Sequence, residues 1–309
     1  SKGAMTMKPV INFMGIRHLA FAVTVILTLV SLGSLAVKGL NFGLDFTGGT
    51  LIEFAYEKPA DLNQVREQLR GAGYADAVVQ SFGATTDVLV RLAGDDPQLG
   101  NKIAAALLEA DASNPAAVKR VEFVGPTVGE ELRDQGGLGM LLALAGIMVY
   151  VAFRFQWKFG FGAIVSLIHD VIVTLGVFSF FEIPFDLTVL AAVLAIIGYS
   201  LNDTIVVFDR IRENFRLLRK AELIENINIS TTQTLLRTMA TSLSTLLAIL
   251  ALMLFAGENL WGFSLALFIG VSAGTYSSVY IASILLIWLK LTRDDLIPPA
   301  VAEEVDERP

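Results

Sequence analysis

The chain has 309 residues, of which 54% are hydrophobic and only 17% are charged, and its mean hydropathy is +0.63. Because ordinary globular domains carry about 25% charged residues, this composition indicates a membrane protein. The modest net charge of −7 argues against a nucleic-acid-binding protein, and the absence of cysteine excludes disulfides and cysteine-based metal or redox sites.

Six apolar segments are predicted to span a membrane, since the hydrocarbon core requires about 20 residues of helix. In chain order they are residues 18–38, 137–156, 159–181, 187–208, 237–256 and 260–289. The first is too long for a signal peptide and lacks a small-residue cleavage site, so we expect a retained anchor. We expect a cytoplasmic N-terminus at 1–17, with an appended cloning remnant at 1–7, and a cytoplasmic tail at 290–309.

The distribution of Lys and Arg in the short connections predicts the orientation. The turn at 154–158 is basic, and so is the predicted loop at 209–236, whereas the turns at 182–186 and 257–259 carry no Lys or Arg. The basic residues are Arg154, Lys158, Arg210, Arg212, Arg216, Arg219 and Lys220. We therefore expect both chain ends and the basic connections on the cytoplasmic side, and residues 39–136 in the periplasm.

Residues 39–136 have mixed charge and no long apolar run, which predicts a small soluble domain. Alternation and turn signals indicate strands at 50–57, 75–83, 87–93 and 117–125, and helical spacing indicates helices at 60–73 and 96–110. The order βαββαβ is that of a ferredoxin-like α+β domain. No catalytic constellation is visible in it, so an interaction module is the favoured interpretation.

Motifs for enzymatic chemistry are weak throughout the chain. The sequence GVSAG at 270–274 fits the nucleophile-elbow pattern, but that pattern needs an exposed strand-to-helix turn, and here it lies inside an apolar span. Small residues at 270 and 274 fit close helix packing better. The chain has no phosphate-binding G-x-x-x-x-G-K-[ST] loop. We therefore expect no enzyme, no cofactor and no metal site.

Ionisable residues inside the spans are the strongest functional signal. Asp203 lies within the fourth span and Arg237 at the start of the fifth. Insertion of an Asp or Arg at the centre of a span costs about 2.5–3.5 kcal/mol, so such a residue usually lines a water path or meets a partner. Two interpretations remain open: a group that exchanges protons, and a fixed ion pair that joins two helices.

Three further polar residues accompany this pair. Asn202 precedes Asp203 directly, and His169 and Asp170 are adjacent in the third span. Neighbouring residues on a helix point about 100° apart, so we expect at most one of His169 and Asp170 to face a given helix. A role in packing is favoured for that pair.

Five sequence motifs are distinctive, namely GLDFTGGT (43–50), VEFVGPTVGEEL (121–132), HDV (169–171), IGYSLNDTIVVFDRIRENFR (197–216) and TQTLLRTMATS (232–242). Together they resemble the bacterial SecF family, within the resistance–nodulation–division (RND) superfamily. The resemblance covers essentially the whole chain. It implies a multi-pass protein of the bacterial inner membrane that acts with SecD to promote preprotein translocation, driven by the proton-motive force.

The resemblance also implies roles and partners. Asp203 and Arg237 match the family's proton-relay residues, and Asn202, His169 and Asp170 are expected to be supporting polar residues. The expected partners are SecD, the SecYEG channel, YajC, preproteins, membrane lipids and protons, without nucleic acid. Two alternatives are half of an RND-type exporter of lipids or small solutes, and a non-conducting scaffold of the translocon.

Overall fold

The computed structural model describes residues 10–82, 84–94, 96–110, 113–218, 221–257, 260–292 and 295. The expected remnant at 1–7, the basic residues Arg219 and Lys220, and most of the tail at 290–309 lie outside the described residues. Two compact units are present. Residues 40–142 and 182–190 form the sheet unit, and the remaining described residues form the helical unit.

The sheet unit contains four strands and two helices in the predicted βαββαβ order. They are β1 (Gly49–Tyr56), α3 (Leu62–Gly71), β2 (Val78–Phe82), β3 (Ala84–Leu92), α4 (Leu99–Ala110) and β4 (Ala116–Val124). The strands lie in the order β2-β3-β1-β4, and every neighbouring pair is antiparallel. This topology confirms the ferredoxin-like α+β prediction. A short helix, α2 (Leu44–Thr47), precedes β1 and had no counterpart in the prediction.

One face of this sheet packs against α3 and α4. Alternate residues of the central strands, including Ile52, Phe54 and Val88, are fully buried with Leu69 of α3 and Ile103 of α4. The period-2 pattern of the strands and the helical spacing of α3 and α4 therefore meet in one core. The two-layer arrangement gives a short chain segment enough apolar contact to fold as a unit.

Six helices among the described residues are long and apolar enough to cross a membrane. They are α1 (Arg17–Val37) with the preceding 3₁₀ turn Phe13–Ile16, α5 (Pro126–Arg154), α6 (Trp157–Phe180), α7 (Leu187–Leu217), α8 (Leu223–Phe255), and α9 (Trp261–Val279) continued by α10 (Ile281–Trp288). The polytopic helical fold with a small sheet domain between the first and second spanning helices is thus confirmed.

Several helices extend beyond the predicted spans. Most of residues 209–236, expected as a loop, is helical, because α7 continues to Leu217 and α8 begins at Leu223. The two extensions are tied by Asn214 Nδ2, which donates to Ser230 Oγ at 2.7 Å and to Gln233 Oε1 at 2.9 Å. Paired polar side chains therefore stabilise helix in a segment whose composition indicated a loop.

The inner helices of the helical unit are α6 and α7. In the apolar 18-residue segment of each helix, 61% of the residues are buried in α6 and 56% in α7, against 17% in α8 and 6% in α5. Helix α9 approaches α7 closely, since a Cβ atom on Gly270 would lie 2.3 Å from Ile196 Cδ1. Gly274 likewise faces Ser200. These contacts agree with close packing as the role of the GVSAG motif.

Candidate functional site

Asp203 lies in the membrane-spanning part of α7, and only 3% of its surface is exposed. Ser242 Oγ on α8 donates to Asp203 Oδ2 at 3.5 Å, the outer limit of a hydrogen bond. No other side chain among the described residues donates to this carboxylate. A buried carboxylate is costly unless it is hydrogen-bonded, paired or protonated, so the site leaves the charge of Asp203 poorly compensated.

Ser242 connects Asp203 to two further hydroxyl groups. Its Oγ lies 2.8 Å from Thr275 Oγ1 on α9, and Tyr199 Oη on α7 donates to it at 3.4 Å. Three spanning helices therefore meet in a row of hydroxyl groups that ends at Asp203. Hydroxyl groups both donate and accept, so this row can reorient around either protonation state of the carboxylate.

Arg237 lies on α8 with its side chain exposed. Within the described part of the chain no ion pair of 4.0 Å or less joins its guanidinium to the carboxylate of Asp203. The structure therefore holds the two proposed relay residues on neighbouring helices without locking them together. The fixed ion pair of the alternative interpretation is therefore not formed in this conformation.

Asn202 is placed away from the carboxylate. Its side chain is exposed on α7, and no hydrogen bond from it to Asp203 is present among the described residues. Consecutive residues on a helix point in different directions, and burying Asp203 therefore turns Asn202 outward.

Asp170 on α6 forms a second polar cluster. Its carboxylate is fully buried, and Oδ2 accepts hydrogen bonds from Ser200 Oγ of α7 at 2.5 Å and from Ser277 Oγ of α9 at 2.7 Å. His169 Nδ1 lies 3.1 Å from Asp170 Oδ1, so the adjacent side chains contact each other. His169 Nε2 is buried without a hydrogen-bond partner in the described part of the chain. Asp170 thus joins three helices.

The hydroxyl partners of both carboxylates were missed by the sequence analysis. Ser200 precedes Asp203 by three residues, a spacing that places two side chains on one helix face. Gly270, Gly274 and Ser277 follow the i, i+4, i+7 pattern on α9. A search for small and hydroxyl residues at these spacings would have found the contact surfaces, although not which carboxylate they serve.

The outer surface of α8 is apolar around Arg237. Leu236 is 77% exposed, and a row of leucines continues along the same helix. The row comprises Leu243, Leu247, Leu250 and Leu254, which are between 40% and 66% exposed. Such a surface faces lipid or a partner helix in a spanning protein, and a cation within it calls for a polar or acidic counterpart.

Comparison with protein families gives two matches. The family described as "Protein export membrane protein SecD/SecF, C-terminal" matches residues 103–292, and the "SecD/SecF GG Motif" matches residues 33–60. The first match includes both carboxylate clusters, and the second includes α2 and all of β1. Fold and matches together define a multi-pass membrane protein of the protein-export class.

Curated relatives make the assignment specific. The chain is 72% identical over 299 residues to "Protein translocase subunit SecF" of Pseudomonas aeruginosa, covering 97% of this chain and 98% of the relative. It is 44% identical to the protein of that name from Escherichia coli O157:H7, over 98% of this chain and 95% of the relative. The chain belongs to the SecF family.

A solved structure is also similar. SecDF from Thermus thermophilus, described as a translocon-associated membrane protein, matches 92% of this chain with a TM-score of 0.82 and 40% sequence identity. A structure of SecDF in a super-membrane-facing form matches with a TM-score of 0.68. This chain spans only 39% of the length of either SecDF chain.

Proposed function

We propose that this chain is the SecF subunit of a SecDF-type complex in the bacterial inner membrane, where it promotes preprotein translocation with energy from the proton-motive force. Family membership supports the export role. The similarity to 39% of a longer SecDF chain supports a separate SecD partner that supplies the remainder. The SecYEG channel, YajC and preproteins are the further partners of this proposal.

The observation that carries the proton-coupled mechanism is the weakly compensated burial of Asp203. Among the described residues its carboxylate has one hydrogen bond, at the distance limit, and Arg237 lies on the next helix without an ion pair to it. Approach of Arg237 favours the ionised carboxylate, and its withdrawal favours the protonated one. A change in the separation of α7 and α8 therefore binds or releases one proton at Asp203.

The other polar residues support this step from different positions. Asp170, with His169 beside it, holds α6, α7 and α9 together through Ser200 and Ser277. Asn202 lies on the exposed side of α7, where a partner helix can contact it. Arg237 and the leucine row of α8 form a surface suited to the same partner.

The proposed orientation places both chain ends in the cytoplasm and the sheet domain in the periplasm. The position of the basic connections supports this, because ion pairs gather them at one end of the helical unit. Arg154 at the end of α5 pairs with Asp209 at 2.8 Å, and Lys158 at the start of α6 pairs with Asp295 at 2.6 Å. These cations follow the rule that positive charge is retained on the cytoplasmic side.

The decisive experiment measures proton flux and preprotein translocation in vesicles that contain this chain and its SecD partner. Asp203→Asn should abolish proton flux while the complex still assembles, because the amide cannot carry a proton. Asp209→Asn is the matched control, since Asp209 lies on the same helix but is only half-buried and is paired with Arg154. It should leave flux unchanged.

Unchanged flux in the Asp203→Asn complex would contradict the relay and favour a non-conducting scaffold. The exporter alternative has no observation in its favour, since the relatives described above are named as protein translocase subunits. Transport of lipid or solute by the purified complex, without a preprotein, would be the result that revives it.

A further inference from the structure

A short segment at residues 41–47, which we call the collar, lies between the sheet and the start of α7. On the sheet side, Arg91 Nη1 of β3 donates to the carbonyl oxygen of Phe42 at 2.7 Å. Leu44 of the collar is buried with Leu51 and Leu89 on the sheet face that α3 and α4 leave uncovered. The collar is therefore attached to the sheet by both polar and apolar contacts.

The other side of the collar binds the residues that lead into α7. Phe185 N donates to Asn41 O, and Gly43 N donates to Phe185 O, both at 2.8 Å, in a parallel bridge. The rings of Phe46 and Phe185 stack with centroids 6.0 Å apart. The entry to α7 is therefore fixed to the collar through its backbone and its side chains.

Asp45 makes the contact that reaches α7 itself. Its Oδ2 accepts a hydrogen bond from the backbone N–H of Leu187, the first residue of α7, at 3.0 Å. Asp186 caps the same turn by accepting from Val189 N at 2.9 Å. The first N–H groups of a helix lack partners within the helix and carry partial positive charge. A carboxylate from a distant part of the chain thus completes the cap of α7.

The backbone that follows the collar is tightly packed against its neighbours. Gly48 and Gly49, which follow it, have φ values of +67° and +110°, a region that favours glycine. A Cβ atom on Gly48 would lie 2.6 Å from Pro126 Cα, and one on Gly49 would lie 2.5 Å from Leu92 O. The glycine pair therefore allows the chain to pass closely between the start of α5 and the end of β3, and any larger residue there would force the collar away.

Helix α7 continues without a break from the collar contact to the membrane site. Asp203 lies about 24 Å along the axis from Leu187, at about 1.5 Å per residue. We propose that Asp45 is a positioning residue that couples proton-driven displacement of α7 to the sheet domain. The inference rests on the proposed function, because it supposes that protonation of Asp203 moves α7.

The test compares two rates in the same vesicles, namely proton flux and preprotein translocation. Asp45→Ala should lower translocation about fivefold, the factor that corresponds to a lost helix cap of typical strength, while proton flux stays within about twofold of the parent. Asp45→Asn keeps an oxygen acceptor and should recover most of the translocation. A loss without this recovery would contradict a capping role.

Asp61→Ala is the matched control. Asp61 also caps a helix by accepting a backbone N–H, from Asn63 at 2.9 Å, but its helix α3 belongs to the sheet domain alone. Its removal should leave both rates unchanged. Normal translocation in Asp45→Ala would overturn the inference, and so would an equal loss of flux and translocation in an assembled complex.

A cross-link gives an answer that does not depend on the folding of Asp45→Ala. Asn41 Nδ2 donates to Glu182 O at 2.8 Å, and the chain contains no cysteine, so Asn41→Cys with Glu182→Cys can be joined by a short thiol cross-linker. If the collar and the entry to α7 move as one body, translocation continues after cross-linking. Arrest on cross-linking would overturn the inference.

The two proposals fail in different ways. Proton flux that persists in Asp203→Asn contradicts the proposed function, whatever the Asp45 variants do. Proton flux that depends on Asp203 but drives translocation equally well in Asp45→Ala leaves the proposed function intact and removes only the coupling role.

Discussion

Two aspartates on adjacent helices, Asp170 on α6 and Asp203 on α7, differ in how the protein satisfies them. Both are buried, but Asp170 accepts from Ser200 and Ser277 at 2.5 and 2.7 Å, whereas Asp203 has, in the described part of the chain, a single side-chain bond at 3.5 Å. The difference follows from their neighbours. Asp170 faces the closely packed helices α7 and α9, and Asp203 faces α8, which is mostly exposed. Burial alone therefore does not distinguish a structural carboxylate from the proposed relay residue, whereas the number and quality of the donors differ between the two.

The largest expected effect is the loss of proton flux on substitution of Asp203, without a change in stability. Asp203→Asn should lower proton flux by about 100-fold or more, which is the range for loss of a proton-transfer group, because the amide side chain does not ionise. The thermal unfolding midpoint of the complex should stay unchanged, since one weak hydrogen bond is replaced by another. A large drop in this midpoint would assign Asp203 the structural role that we give to Asp170.

Asp170→Ala should act mainly on stability, in contrast to Asp203→Asn. The substitution leaves the Ser200 hydroxyl without an acceptor among the described residues, at a cost of about 1–3 kcal/mol. Ser277 Oγ keeps the backbone oxygen of Gly274 at 3.2 Å as its acceptor. A clear fall in the unfolding midpoint of the purified complex is the expected result. Asp170→Asn retains an acceptor and serves as the control with a smaller fall. An unchanged midpoint in Asp170→Ala would contradict the three-helix role.

A smaller effect is expected for Ser242→Ala. This change removes the one side-chain donor to Asp203 among the described residues and the link to Thr275. It should lower proton flux about threefold, as for a hydrogen bond worth less than about 1 kcal/mol. Ser244→Ala is the control, because the bond that Ser244 Oγ makes in the described structure goes to the backbone oxygen of Thr241 on its own helix. Equal flux in the two variants would exclude Ser242 from the relay.

The smallest effect is expected for Asn202→Ala. Its side chain is exposed and does not reach Asp203, and exposed substitutions usually change stability by less than about 0.5 kcal/mol. The stability of this subunit in detergent and the proton flux in vesicles should both stay unchanged. Loss of flux with normal assembly would show that Asn202 takes part in the proton path when SecD is present.

The sequence predicted the fold well where periodicity is strong. The βαββαβ order and six long apolar segments are direct consequences of alternation, helical spacing and span length. The helical part of 209–236 could not be predicted from composition, because Asn214 and Ser230 stabilise it only when the two helices lie side by side. The interruption at Tyr280 between α9 and α10 likewise has no proline or glycine at the break to announce it.

The candidate site was predicted only in part. Asp203 and Asp170 could be found because a carboxylate is conspicuous in an apolar span. Ser200, Ser242 and Ser277 could not, because serine is common in helices and its importance depends on what lies opposite. The separation of Asp203 from Arg237 also depends on side-chain placement, which residue spacing does not determine.

The exposed Arg237 on the leucine row of α8 also has a consequence for subunit stoichiometry. Exposure of a cation to lipid costs up to about 2.5–3.5 kcal/mol. If polar groups of a partner cover Arg237, this cost shifts the equilibrium toward the assembled chain by roughly 70- to 370-fold. An orphan copy thus carries a polar defect that assembly removes. If the proposed SecD partner supplies those polar groups, assembly favours equal numbers of the two subunits over an excess of this chain.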